Sequence, residues 1–165
     1  MTAGLKDATQ MNIKSVIGAR MKLNLTTDYA LRILIFLASK PEELHSIETL
    51  SRIYRLPHSS LMKIVSELAR QGYVTSVRGR YGGIKLGQAA SEINVGQVVR
   101  IMEESFEVAN CAECLIQPQC GLRGVFAEAV NAFLSVLDRS TVADLIRNKA
   151  DLVPLLTLSK AADNP

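Results

Sequence analysis

The 165-residue sequence contains no tryptophan, and aromatic residues make up only 5% of it. Because 48% of the residues are nevertheless hydrophobic, the core must consist mainly of alanine and aliphatic side chains, which favours a helical protein. The length allows one compact domain with an extension and is short for two catalytic domains. The mean hydropathy of +0.15 also predicts an apolar surface that becomes buried between subunits.

Long apolar runs are missing as well. No stretch of about 18 consecutive apolar residues occurs, which excludes a membrane-spanning helix. Residues 1–20 carry Lys6, Lys14 and Arg20 but lack the apolar segment of a secretory signal. The three cysteines are an odd number, which disfavours a closed disulfide framework and favours metal or redox chemistry. We therefore expect a cytoplasmic protein that does not contact a membrane.

The net charge of +3 is unevenly distributed along the chain. Residues 21–90 hold ten Lys and Arg against five Asp and Glu, a balance of +5, whereas residues 91–165 have a balance of −4. Such a division predicts a polyanion-binding head joined to a part with a different partner. Many solvated surfaces are equally basic, so charge alone does not identify the partner.

Residues 26–72 have the pattern of three helices separated by short turns. In the first of them, Tyr29, Ile33, Phe36 and Leu37 recur at helical spacing and predict a buried face. Capping and breaking residues give the expected bounds: Thr26 or Thr27 to Ser39, Ser46 to about Tyr54, and Ser59 or Ser60 to Gly72.

A basic hairpin follows the third helix. Residues 73–77 and 84–86 are strand-like, and glycines within the intervening Arg-Gly-Arg-Tyr-Gly-Gly permit a tight turn. Helix, turn, helix and basic hairpin together predict a winged helix-turn-helix, in which the recognition helix reads base edges and the wing reaches the minor groove. The candidate DNA-binding residues are His58, Ser59, Ser60, Lys63, Arg78 and Arg80. Alternatively, the serines only cap the helix and the lysine is solvated.

A second apolar stripe lies towards the C-terminus. Leu122, Phe126, Ala129, Phe133 and Leu137 mark one face of a helix of about four turns. Because nothing else in the sequence is available to cover this face, it predicts a partner helix. Two shorter helices are expected on either side, one capped by Asn94 and ending at Met102 and one capped by Ser140.

The predicted fold class is therefore mainly α with a small β-wing, a winged helix-turn-helix head followed by a long dimerisation helix. We expect residues 1–20 to be a disordered tail or the product of an upstream start codon. Residues 21–90 would form the DNA-binding head and residues 91–149 the cysteine loop and dimerisation helix. Residues 150–165 would form a flexible tail.

All three cysteines lie within ten residues, in Cys111-Ala-Glu-Cys114-Leu-Ile-Gln-Pro-Gln-Cys120. Thiolates gathered on a flexible loop suit iron-sulfur clusters and thiophilic metals. Both histidines are distant in the sequence, so the four-ligand patterns of zinc sites are incomplete. A metal-free thiol switch and three unrelated cysteines are the alternatives.

Three segments together carry a resemblance to a known family. They are Leu-Thr-Thr-Asp-Tyr-Ala-Leu-Arg at 25–32, Val-Arg-Gly-Arg-Tyr-Gly-Gly-Ile-Lys-Leu at 77–86, and the cysteine loop. Over about residues 21–150 the chain resembles the iron-sulfur winged-helix transcription regulators and is most similar to their nitric-oxide-sensitive repressors. The resemblance implies a homodimer on double-stranded operator DNA, a cluster of the 4Fe-4S type ahead of the 2Fe-2S type, and repression of genes for nitric-oxide detoxification.

The same resemblance implies a set of cluster ligands. Cys111, Cys114 and Cys120 would hold the cluster, and Asp28 of the other subunit would complete it. On its own, Asp28 is a first-turn acid that stabilises the helix dipole. Two departures from the family pattern stand out: the first cysteine interval has only two intervening residues, and the histidine ligand of the cluster-biogenesis branch is absent. The second departure argues against that branch.

Other functions remain open at the level of the sequence. An iron- or redox-responsive regulator of the same family would use the same cysteines. A small iron-sulfur electron-transfer protein would hold a cluster too, but it needs no recognition helix or basic hairpin. The sequence contains no phosphate-binding loop and no recognisable pair of a catalytic nucleophile and a general base, so nothing in it indicates an enzyme.

Overall fold

The computed structural model describes residues 22–146, so the expectations for residues 1–20 and 150–165 lie outside the described residues. Helices and one antiparallel hairpin make up this part of the chain, as the predicted fold class requires. In chain order the elements are α1 (Leu25–Ser39), α2 (Ile47–Tyr54), α3 (His58–Arg70), β1 (Val74–Val77), β2 (Gly83–Leu86), α4 (Val95–Met102), α5 (Leu122–Leu137) and α6 (Val142–Leu145). A short 3-10 turn, Gln117–Gln119, precedes α5.

The core is arranged around α1. Its side chains Ile33 and Leu34 are fully buried, and the surrounding elements α3, α4, α6 and β2 all pack against this helix. The core residues that other elements contribute include Leu61, Leu68 and Val98. The helical spacing of Ile33 and Phe36 therefore predicted the buried face of α1.

The cap of α1 differs from the sequence prediction. Asn24, rather than Thr26 or Thr27, caps the helix, because its side-chain oxygen accepts a hydrogen bond from the Thr27 amide at 2.8 Å. Thr27 lies within the first turn and is buried. Its hydroxyl is 3.2 Å from the same Asn24 oxygen, so Thr27 supports the cap without being the cap.

The start of α3 also differs from the prediction. The helix begins at His58 after Pro57 and has no side-chain cap, so Ser59 and Ser60 lie inside the first turn. The Pro57 carbonyl accepts the amides of Ser60 and Leu61, both at 3.1 Å, and this backbone contact takes the place of a serine cap. The helix ends just before Gly72, whose φ of +79° suits glycine.

The remaining caps fit the prediction with one exception. Ser46 caps α2 and Asn94 caps α4, as predicted. Thr141, rather than Ser140, caps α6, because the Thr141 and Asp144 side chains bond each other's backbone amides in a capping box.

The hairpin is joined to the helical head by backbone hydrogen bonds. Strands β1 and β2 pair from Val74 opposite Leu86 to Val77 opposite Gly83. His45, between α1 and α2, pairs with Ile84 of β2 through two further hydrogen bonds of 3.0 and 2.8 Å. A Cβ atom at Gly83 would lie 2.9 Å from the His45 carbonyl oxygen, so the pairing requires glycine there.

The long helix α5 has the predicted bounds, but a different residue anchors it. Leu134, which lies outside the predicted stripe, is the buried residue of α5, while Leu122 is 48% exposed. Arg100 of α4 forms a two-pronged ion pair of 2.5 and 2.8 Å with Asp138, just after α5. The helix is thus fixed to the head near its end, and residues 22–146 leave most of its apolar surface uncovered.

Candidate DNA-binding face and cysteine loop

The first turn of α3 presents polar side chains to solvent. His58, Ser59 and Lys63 are exposed and Ser60 is half-buried, whereas four aliphatic residues on the opposite side of the helix are buried. The tight turn before α3 is set by Arg55, which has a φ of +54°, and by the Leu56 amide, which donates to the Ser51 carbonyl at 3.0 Å. The α2–turn–α3 unit therefore has the geometry of a helix-turn-helix with an accessible recognition helix.

The tip of the hairpin adds further cations. Arg78 and Arg80 are both exposed, and the tip is closed by a 2.9 Å hydrogen bond from the Gly82 amide to the Gly79 carbonyl. The Arg80 guanidinium lies 5.8 Å from the ring centre of Tyr81, which is 84% exposed. The sequence analysis did not include Tyr81 among the candidate DNA-binding residues. The signal was present, because an aromatic side chain in a glycine-rich basic turn cannot be part of a hydrophobic core.

Ion pairing separates these cations from four other basic residues of the head, Arg32, Lys40, Arg52 and Arg70. Among residues 22–146, Lys63, Arg78 and Arg80 take part in no salt bridge, whereas Arg70 on the same helix α3 is paired with Glu67 at 2.6 Å. Hydrogen bonds from Arg70 and Gln71 hold the pKa of the Glu67 carboxyl below its ordinary value. The unpaired cations are therefore available to phosphate groups without breaking an internal contact.

The cysteine loop is a chain of consecutive turns between α4 and α5. The Cys114 amide donates to the Cys111 carbonyl at 3.3 Å, and the Gln117 amide donates to the Cys114 carbonyl at 3.1 Å. The Cys120 amide then closes the 3-10 turn on the Gln117 carbonyl at 3.3 Å. All three thiols are free; Cys114 is exposed, while Cys111 and Cys120 are partly buried.

A cleft of about 430 Å³ lies between the start of this loop and α5. Cys111 lines it together with Phe106 and Phe126, and the charged side chains of Glu107 and Arg123 line it as well. The cleft therefore places the Cys111 thiol in a mixed apolar and charged setting, whereas Cys114 is not part of its lining.

Asp28 lies on the head and has a partner within its own chain. Its carboxylate is 2.7 Å from the Arg32 guanidinium one turn later. Just before Asp28, the Asn24 amide and side chain donate to the Glu103 carboxylate at 2.8 and 2.9 Å, and the side chain also donates to the Met102 carbonyl at 3.1 Å. The start of α1 is thus attached to the end of α4, from which the chain runs into the cysteine loop.

The donor set suits an iron-sulfur cluster in its chemistry. The three soft sulfur ligands are free and lie on one loop of turns. Within residues 22–146 of a single chain, however, no three His, Cys, Asp or Glu side chains converge on a common metal position. Cys111, Cys114, Cys120 and Asp28 are therefore not brought together by this fold alone, and a cluster would require the loop to tighten.

The helix-turn-helix, the wing paired to it and the exposed cations define a winged-helix DNA-binding protein. Within the described residues no helix is long and apolar enough to cross a membrane. Residues 23–148 match the Rrf2 family, described as iron-dependent transcriptional regulators, and the chain belongs to this family. The resemblance noted in the sequence is thereby confirmed, and the protein is a DNA-binding transcriptional regulator rather than an enzyme.

Individual relatives agree with this assignment. The HTH-type transcriptional regulator NsrR of Bacillus subtilis (strain 168) is 44% identical over 146 residues, which span 85% of this chain and 100% of the relative. NsrR of Bacillus licheniformis is 43% identical over 143 residues, spanning 83% of this chain and 100% of the relative.

Solved structures share the fold. CymR, the global cysteine regulator of B. subtilis, superposes with a TM-score of 0.62 at 30% identity, covering 76% of this chain and 95% of CymR. IscR of T. potens superposes with a TM-score of 0.65 at 24% identity, covering 81% of this chain and 90% of IscR.

Proposed function

We propose that the protein is a cytoplasmic, homodimeric repressor that binds double-stranded operator DNA and releases it when nitric oxide attacks an iron-sulfur cluster held by the cysteine loop. The observation that carries the proposal is the presence, in one chain, of three free thiols on a single loop and an unpaired basic face on a winged helix. The family description and the relatives named NsrR support it.

Four residues would hold the cluster. Cys111, Cys114 and Cys120 would bind it as thiolates, and Asp28 of the partner subunit would supply the fourth ligand. The cluster, of the 4Fe-4S type in our proposal, supplies iron that reacts with nitric oxide. A carboxylate is a harder ligand than a thiolate, so the position held by Asp28 is the most exchangeable of the four.

The position of Asp28 supports a link between the cysteine loop and the DNA-binding head. Within its own chain Asp28 is paired with Arg32, so in our proposal the carboxylate has two alternative partners, the arginine and the cluster. Exchange between two partners is a bistable arrangement that a ligand can bias. Asp28 lies in the first turn of α1, so the exchange would reposition the head that carries α3 and the wing.

The proposed DNA contacts are divided between the two parts of the head. His58, Ser59, Ser60 and Lys63 would enter the major groove at the start of α3. Arg78 and Arg80 would reach the minor groove or the phosphates from the wing. The uncovered apolar surface of α5, where Val125 and Val136 are 59% and 58% exposed, supports a dimer contact on that helix.

The proposal is tested by purifying the protein without oxygen and recording its absorption spectrum and DNA binding before and after stoichiometric nitric oxide. A duplex enriched from a random library by the iron-loaded protein serves as the probe. We expect a coloured protein that loses both its spectrum and its DNA affinity on exposure. Serine replacement of Cys111, Cys114 or Cys120 should abolish the colour while leaving the dimer intact. A wild-type protein that stays colourless after supply of iron and sulfide would refute the proposal.

The family description favours a second candidate, regulation by iron supply through the same cysteines. The two candidates differ in what releases the DNA. Titration with an iron chelator in the absence of nitric oxide should release DNA only if cluster occupancy follows free iron. Release by stoichiometric nitric oxide at saturating iron instead favours the first candidate.

A further inference from the structure

We infer that Cys111 and Cys114 form a dithiol–disulfide couple in the cluster-free protein, with a low-molecular-weight disulfide as the oxidant. The inference goes beyond the proposed function, because it concerns the loop when no cluster is held. It requires only the residues of one chain.

The backbone places the two cysteines at the ends of one tight turn. Ala112 and Glu113 occupy its central positions, and the Cys114 amide closes it on the Cys111 carbonyl at 3.3 Å. The first and fourth Cα atoms of such a turn lie within about 7 Å of each other, which overlaps the roughly 4.4 to 6.8 Å that a disulfide spans. A second contact, from the Asn110 side-chain amide to the Glu113 carboxylate at 3.3 Å, brackets the same turn. The backbone separation set by this turn is therefore compatible with a disulfide between Cys111 and Cys114.

Cys120 is the less suitable partner. Five residues separate it from Cys114, and they include the 3-10 turn Gln117–Gln119. Its own amide is engaged with the Gln117 carbonyl, and α5 begins two residues later. Closing the shorter ring costs less chain entropy, and the turn has already brought its ends together. Oxidation should therefore select the Cys111–Cys114 pair.

The difference in exposure assigns a role to each thiol. Exposed Cys114 attacks a sulfur of the small disulfide, forming a mixed disulfide and releasing one small thiol. Partly buried Cys111 then attacks the Cys114 sulfur, forming the internal disulfide and releasing the second small thiol. Overall, the two protein thiols give up two electrons and two protons, and the small disulfide is reduced by the same number to two thiols.

The couple has a consequence for cluster assembly. Once Cys111 and Cys114 are joined, Cys120 is the one remaining thiol of the chain, because the sequence contains three cysteines. One thiolate cannot hold a cluster, so the oxidised loop must first be reduced by thiols. The disulfide thus prevents cluster insertion until it is reduced.

The test uses the full-length protein, freed of metal by a chelator and equilibrated without oxygen in mixtures of oxidised and reduced glutathione. Free thiols are then blocked, and the disulfides are mapped by mass spectrometry. Wild type and Cys120→Ser should each form one internal disulfide, between Cys111 and Cys114, and before the thiols are blocked this form should be lighter than the reduced form by two hydrogen atoms. Cys111→Ser and Cys114→Ser should carry a glutathione adduct instead.

Two results would overturn the couple: an internal disulfide that involves Cys120, or glutathione adducts as the sole oxidised form of Cys120→Ser. Circular dichroism of each variant checks that the helical fold is retained. A separate measurement supplies iron and sulfide to the oxidised and reduced forms, and we expect only the reduced form to become coloured. A reduced protein that stays colourless refutes the proposed cluster but leaves the disulfide result unaffected.

Discussion

The unpaired cations of the head are the residues on which DNA affinity should depend most directly. Lys63 and Arg78 are exposed and form no salt bridge within residues 22–146, so each can neutralise a phosphate without losing an internal partner. The recognition-helix residues differ from the wing residues in reaching base edges.

Replacing Lys63 or Arg78 with alanine should therefore weaken DNA binding. The slope of log affinity against log salt concentration should also become shallower, by the amount that corresponds to roughly one lost phosphate contact per substituted side chain. Only the change at Lys63 should also relax sequence preference, by about 1 to 3 kcal/mol if a base contact is lost. Titrations at several salt concentrations measure both effects. Arg139→Ala, an exposed cation beyond α5, is the matched control and should leave binding unchanged. Unaltered affinity and salt dependence in both variants would contradict the assignment of the face.

Asn24 has two roles that the sequence alone does not reveal. It caps α1 and also binds Glu103 and the Met102 carbonyl. Asn24→Ala should lower the free energy of unfolding by about 1 to 2 kcal/mol through loss of the cap alone. Thr26→Ala, at an exposed position two residues further along, should change it by no more than about 0.5 kcal/mol. Chemical denaturation of the two variants measures the difference, and equal effects would contradict the capping geometry.

Sequence patterns predict exposure at the residue scale better than they predict contacts. The exposure of the first turn of α3 and of the basic wing tip was identifiable from the sequence, because neither segment has apolar residues at regular spacing. The sequence prediction overlooked Asn24, although asparagine is a better cap than threonine by residue type. What the sequence could not reveal is the contact of Asn24 with Glu103, which is 79 residues away in the sequence.

At the scale of elements, α5 illustrates what periodicity can and cannot establish. The bounds Leu122–Leu137 follow from the repeat of apolar residues. The identity of the buried anchor does not, because Leu134 is selected by where α4 lies against the helix. The apolar stripe through Phe133 is therefore the surface that we assign to the partner subunit.

Phe133→Asp should produce monomers, because a carboxylate on that stripe would be buried without a partner in the dimer. Sedimentation measures the change, and binding to a two-fold operator should be lost with it. Ser135→Asp, which adds the same charge at an exposed position on another side of α5, is the control and should remain dimeric. A normal dimer in Phe133→Asp would mean that the interface lies elsewhere.

The junction between α4 and α5 should respond to acid. Hydrogen bonding from Arg100 holds the pKa of the Asp138 carboxyl below its ordinary value. The ion pair therefore contributes stability that is complete above the ordinary carboxyl pKa and is lost as the pH falls through the lowered one. Melting temperatures of wild type and Asp138→Asn should differ at about pH 7 and approach each other as the pH falls below the ordinary aspartate pKa of 3.8. A difference that is independent of pH would argue against the ion pair.

At the scale of the whole molecule, the proposed donation of Asp28 across the dimer can be tested with mixed dimers. One chain keeps its cysteines but carries Asp28→Ala, and the other keeps Asp28 but lacks the cysteines, so that one cluster site remains. Donation across the dimer predicts a wild-type spectrum for that site. Donation within a chain predicts the altered spectrum of the Asp28→Ala homodimer. An Asp28→Ala homodimer with a wild-type spectrum would leave Asp28 as the partner of Arg32 alone.

The backbone pairing of His45 with Ile84 attaches the base of the wing to the segment between α1 and α2. We expect this attachment to limit how far the separation between the two proposed points of contact with DNA can change. Within each half-site, the number of base pairs between the major-groove element and the minor-groove element is therefore set by the protein fold. Inserting one base pair between these elements rotates them by about a tenth of a helical turn, and we expect the attached wing to follow that rotation poorly. The operator should therefore tolerate changes of base far better than changes of length.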